Sequence, residues 1–134
     1  MPKVTQINHV AIVVQDMEKA LLFWRDALGM ELHELRDVPG EKSQVAFLPL
    51  SGSEVELVLP TTEDSGISKY LAKRGPGMHH ICLEVDDIEG MISRLKSKGV
   101  RLTSEEPRTA SDGKRYVFIH PESTSGVLVE LYQI

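Results

Sequence analysis

The feature that most limits how this chain can fold is a strand, a cap and a helix that occur twice. Asn8-His9-Val10-Ala11-Ile12-Val13-Val14 leads into Asp16-Met17-Glu18, and His79-His80-Ile81-Cys82-Leu83-Glu84-Val85 leads into Asp87-Ile88-Glu89. An offset of 71 (80 − 9) sets His9 on His80, Val10 on Ile81, Asp16 on Asp87 and Glu18 on Glu89. Gly29 meets Gly99 at 70 (99 − 29), so the match carries one small gap. Strand–helix alternation is common in proteins. A histidine at the same strand position in both copies is not part of that background. The chain therefore reads as an α+β fold built of two βαβββ modules.

The β-branched run at 6–14 predicts a strand. Asp16 caps a helix whose apolar residues Met17, Ala20, Leu21, Phe23, Trp24 and Leu28 recur at helical spacing, and Gly29 closes it. Strands follow at Glu31–Val38, Ser43–Leu50 and Glu54–Leu59, with turns at Pro39-Gly40 and Ser51-Gly52-Ser53. A connector carries a short helix from Ser65 or Gly66 to Arg74. The second copy supplies a strand at His79–Val85 and a helix capped by Asp86 or Asp87, bearing Ile88, Met91, Ile92 and Leu95. Three more strands are expected at Val100–Ser104, Tyr116–His120 and Val127–Gln133. The expected organisation is a single domain over 1–134, with modules at about 5–60 and 77–134 and a connector at about 61–76.

A chain of 134 residues can bury a real core, and 41% hydrophobic with 26% charged residues is ordinary for a soluble globular protein. The net charge of −5 gives no basic field for nucleic acid or an anionic membrane. No apolar run has the length of a membrane span, and Met1-Pro2-Lys3 opens no signal peptide. The lone Cys82 cannot form an internal disulfide and suits a reducing compartment. The expectation is a cytoplasmic protein with neither nucleic-acid nor membrane partners.

Successive strand side chains point to opposite faces. His79 thus goes with Ile81, Leu83 and Val85, and His80 with Met78, Cys82 and Glu84. Met78, Met91 and the Trp24 side of the first helix are expected in the core, with Cys82 a small packed residue. Each module's last strand also holds a carboxylate in an apolar run: Glu56 within Val55–Leu59 and Glu130 within Val127–Tyr132. Such a group is costly unless it is paired, faces water or binds a cation. A lone strand histidine is ordinarily a structural hydrogen-bonding group, and Glu56 alone fits a solvated sheet face. All four recurring in two repeats point to chemistry. His9, Glu56, His80 and Glu130 form a ligand set for a divalent first-row metal, a Lewis acid toward a carbonyl oxygen.

At these residues the chain resembles the vicinal oxygen chelate superfamily and, within it, the methylmalonyl-CoA epimerases. The resemblance is carried by Asn8–Ile12, by Asp64-Ser65-Gly66-Ile67, by Gly77-Met78-His79-His80-Ile81, and by His120-Pro121-Glu122 through Gly126–Leu131. It implies paired modules forming an open, cup-shaped mixed sheet around one divalent ion per chain. The metal histidines fall on His9 and His80 rather than His79, and the other ligands on Glu56 and Glu130. Co, Ni, Mn, Mg and Zn all suit the set.

The implied reaction interconverts (R)- and (S)-methylmalonyl-CoA by removal of the proton between the thioester and the carboxylate. The implied substrate is a CoA thioester and the implied assembly a homodimer. Some members carry a glutamate base on the third strand, and the matching position here is Gln44. Glutamine cannot act as a general base, so Gln44 is assigned to substrate positioning. Glu130 is then both ligand and base, with Glu56 or a metal-bound water on the other face. Glyoxalase I has a similar fold and ligand order, and a metal-free binding protein on the same modules is a further alternative.

Overall fold

The computed structural model describes residues 1–110 and 112–134. The strands are β1 (Val4–Val13), β2 (Glu34–Val38), β3 (Ser43–Leu50), β4 (Ser53–Pro60), β5 (Gly77–Val85), β6 (Arg108–Thr109), β7 (Arg115–Ile119) and β8 (Val129–Gln133). The helices are α1 (Met17–Leu21), α2 (Gly66–Arg74) and α3 (Ile88–Ser97). This is the expected α+β architecture with a mixed sheet. The chain divides into two compact units, one of 1–9 with 80–134 and one of 10–79.

In the unit of 10–79, β3 pairs antiparallel with β2 and with β4, joined by the tight turn at Ser51-Gly52. Ala46, Leu48 and Leu57 are fully buried on the side that packs against Met17 and Leu21 of α1. Val45 and Val58 point the other way and pack with Ala11, Phe47 and Ile67. Asp16 caps α1 by accepting from the Lys19 amide at 3.1 Å. Ser65 does the same for α2 through Ser68 at 3.0 Å.

The first helix departs from expectation. After α1 the chain widens into a π-helical turn over Leu22–Ala27, closed by Leu28 N–H donating to Phe23 O at 2.8 Å. A π turn inserts a residue and rotates the side chains beyond it. Trp24 still packs against the α1 cluster, whereas Phe23 and Leu28, expected inside, are each 55% exposed. Met78 is a second correction, at 61% exposed beside the Gly75–Gly77 turn.

In the other unit, β5 and β8 run parallel, and β7 joins β8 and β6 antiparallel. Asp87 caps α3 by accepting from Gly90 N at 3.0 Å, and Gly99 follows the helix at φ +77°. The cap and stop therefore repeat Asp16 and Gly29 (φ +83°) of the first copy. Ile88, Met91 and Ile92 of α3 pack on Val85, Val117, Ile119 and Leu131, covering one face of these strands. The strand expected at Val100–Ser104 is only a bridge, Leu102 to Ile119, with Thr103 N–H donating to Phe118 O at 2.9 Å and His120 N–H donating to Arg101 O at 2.8 Å.

Candidate metal centre

The face of β5 and β8 opposite α3 carries the polar groups. Leu83 and Val85 pack toward the helix cluster, so alternation turns His80, Cys82 and Glu84 to the other side. Parallel pairing sets Cys82 beside Glu130, and antiparallel pairing sets Phe118 on its other flank. His9 completes the group from β1.

His9 Nε2 lies 3.2 Å from His80 Nε2 and 3.5 Å from Glu130 Oε1, and His80 Nε2 lies 3.2 Å from the same oxygen. Both His9 and Glu130 are only 8% exposed. Adjacent ligands around one first-row ion, at bond lengths near 2.1 Å, stand about 3.0 to 3.4 Å apart. The observed sides of 3.2, 3.2 and 3.5 Å lie at or just beyond that range, and the corners are an imidazole pair and a carboxylate. The residues present fit a divalent ion. The Cys82 thiol is fully buried and joins His9 and Glu130 in a group whose ligand atoms lie within 4.8 Å of one another. The Phe118 ring meets His80 edge-on at 5.5 Å, walling that flank with apolar surface.

Burial pushes the His9 imidazole down to about 4; Glu130 opposes the shift and His80 adds to it. His9 is thus neutral at pH 7, the form that ligates. A histidine held neutral by the fold contributes stability that is complete above its unfolded value near 6.5. That stability is lost as pH falls toward 4, by about 3 kcal/mol at 1.36 kcal/mol per pH unit. Urea unfolding of chelator-treated protein is expected to show this loss between pH 7 and pH 4, and His9→Gln to flatten it. Equal losses in both proteins would mean that another group is responsible.

The remaining site candidates lie in the unit of 10–79. Glu56 is half-buried on β4, opposite Phe47, on the Val45 and Val58 side of its strands. Its charge reaches Arg36, whose guanidinium stands over the Phe47 ring at 4.8 Å. Gln44 pairs with Leu59 and Asp37, and alternation turns it to the Ala46 and Leu48 side, toward α1. Glu56 and Gln44 therefore occupy opposite sides of their strands. A carboxylate does occur just ahead of Gln44, at Glu41 in the turn Pro39–Glu41 before β3. His79 meets the Tyr70 ring edge-on at 4.8 Å, and His120 accepts from Glu122 N at 3.0 Å; both have structural roles.

Cys82, expected as a small packed residue on the His80 face, is buried there, and one neighbour of the site, Asn8, was missed in the sequence. Cys82 lies two residues beyond His80, which is itself the signal that they share a face. Asn8 immediately precedes His9, and its amide oxygen lies 2.7 Å from His9 Nδ1.

A profile of the Glyoxalase/Bleomycin resistance protein/Dioxygenase superfamily matches residues 8–118. The mitochondrial methylmalonyl-CoA epimerase of Mus musculus is 42% identical over 132 residues, covering 98% of this chain and 74% of that protein. The chain belongs to the methylmalonyl-CoA epimerase family of that superfamily. Solved structures of this family agree. The epimerase of Mycobacterium tuberculosis is 39% identical with a TM-score of 0.85, over 97% of this chain and 88% of that one. An epimerase in complex with methylmalonyl-CoA and NH4+ is 34% identical with a TM-score of 0.86, over 98% and 95%. Membership in this epimerase family makes the chain an enzyme, and no helix among the described residues is long and apolar enough to cross a membrane.

Proposed function

We propose that this protein is a divalent-metal-dependent epimerase interconverting (R)- and (S)-methylmalonyl-CoA. The observation that supports it most directly is the His9–His80–Glu130 triangle, in a chain 42% identical to a methylmalonyl-CoA epimerase. His9, His80 and Glu130 would hold the ion. Glu56 is the fourth ligand by the sequence repeat, since it occupies in the first module the place of Glu130 in the second. A divalent ion there supplies positive charge against the negative charge that builds on the thioester oxygen as the α-proton leaves.

The chain's own groups move the proton. Glu130 faces both imidazoles through Oε1, which leaves Oε2 to take the α-proton. The C–H electron pair then delocalises into the thioester carbonyl. Inversion requires return of a proton on the opposite face, and thus a second acid/base group. Glu56 is the candidate that the sequence repeat offers for that role. Phe118 and buried Cys82 keep water from the base. A homodimer and a cytoplasmic location complete the reading, in keeping with the family and a reduced Cys82.

Assay with both candidate substrates tests it. Purified protein is expected to exchange the α-hydrogen of methylmalonyl-CoA with solvent deuterium. Turnover of the glutathione hemithioacetal of methylglyoxal, with none of methylmalonyl-CoA, would overturn the proposal in favour of a glyoxalase.

A further inference from the structure

The candidate ligand His9 is approached from behind by a chain of hydrogen bonds whose direction is fixed at its far end. Glu84 of β5 accepts from Asn8 Nδ2 at 2.7 Å through Oε1 and from Gln6 Nε2 at 2.9 Å through Oε2. The Glu84 backbone oxygen also accepts from Thr5 Oγ1 at 3.3 Å. A carboxylate only accepts, so the amide group of Asn8 must turn its nitrogen to Glu84. Its oxygen is then the atom that meets His9 Nδ1 at 2.7 Å. An amide oxygen only accepts as well, so the imidazole must carry its hydrogen on Nδ1. A neutral ring has one N–H, and Nε2 is left with the lone pair. Nε2 is the nitrogen that stands 3.2 Å from His80 Nε2 and 3.5 Å from Glu130. Any hydrogen bond between the two rings is then donated by His80 to His9 Nε2.

We propose that Glu84, acting through Asn8, is a positioning residue that fixes the His9 tautomer with its lone pair on Nε2, ready to bind an ion. The inference deepens the metal-centre reading and rests on it for its purpose, though not for its geometry. Such partners behind a metal-ligating histidine set ring orientation and ligand basicity, and their loss typically costs about 10–100-fold in metal affinity. Neither Glu84 nor Asn8 is asked to touch ion or substrate.

Nitrogen-15 NMR of the histidine side chains in chelator-treated protein reads the tautomer without any ion. In the wild type, His9 is expected with hydrogen on Nδ1 and none on Nε2. Glu84→Gln replaces an obligate acceptor by an amide of the same shape that accepts or donates, so Asn8 is no longer held one way round. Asn8→Leu removes the acceptor altogether. Both variants are expected to move His9 toward the Nε2–H tautomer and to weaken Co(II) binding, monitored by its d–d spectrum, by about 10–100-fold. Nε2–H in the wild type would overturn the proposal. So would an unchanged tautomer in both variants, with Glu84→Gln folded by circular dichroism. Wild-type protein with the stated tautomer but no affinity for Co(II) would instead remove the metal-centre reading and leave the relay standing.

Discussion

Glu130→Gln is expected to abolish solvent-deuterium exchange at the α-carbon of methylmalonyl-CoA, lowering kcat by about 10³-fold or more, while the protein stays folded. A positioned general base is ordinarily worth about 10²–10⁴-fold, and this side chain is asked to hold an ion as well. Gln is close to Glu in shape and keeps one oxygen toward His9 and His80, so β8 and its neighbours have no cause to rearrange. Mass spectrometry of the recovered thioester reads the exchange, and thermal unfolding monitors the fold. Ion content separates the two duties of Glu130. Full ion content with exchange lost assigns the proton to Glu130. Loss of both leaves it a ligand alone. Exchange at the wild-type rate would remove Glu130 from the base role.

Removal of the ion is the second large effect. Chelator-treated protein is expected to lose epimerase activity by at least about 10²-fold and to regain it on addition of a divalent first-row ion, because charge stabilisation at the thioester oxygen is worth several kcal/mol. His80→Ala is expected to lose the ion and not to recover. His80 is the sharper choice of the two histidines. It meets both His9 and Glu130 at 3.2 Å, whereas His9 also bonds Asn8. Protein that retains activity after exhaustive chelation, with no stoichiometric ion by elemental analysis, would defeat the metal-dependent mechanism.

Much of this was legible in the residues. Period-two alternation separated His80 from His79, and the structure places His80 with His9 and Glu130 while His79 meets Tyr70. The repeat of Asp16 in Asp87, and of Gly29 in Gly99, foretold two caps and two left-handed stops. The features that could not be read have identifiable physics. A π turn has no pattern of its own in a run such as Leu22–Ala27, so the outward rotation of Phe23 and Leu28 was invisible. Gln44 was chosen by counting along β3 from a loop of unknown length. The turn at Pro39–Glu41 and the left-handed Lys42 (φ 52°) set the strand's actual phase. Asn8 was hidden differently, because its role depends on Glu84, 76 residues away.

The pairing of β5 with β8 makes the site depend on a long-range contact. Cys82 and Glu130 are neighbours in space and 48 apart in the chain (130 − 82), and their strands are parallel. A parallel pair cannot be closed by a hairpin. The segment between β5 and β8 carries α3 and β7, and closing a loop of that length costs about 3.5 kcal/mol of entropy. The packing of Ile88, Met91 and Ile92 on Leu131 offsets that cost on the far face of the same strands. An ion held by His9, His80 and Glu130 would then be coupled to the docking of a helix that packs on the opposite face of β5 and β8. The triangle exists only once these strands have paired, so binding at it would report completion of the fold.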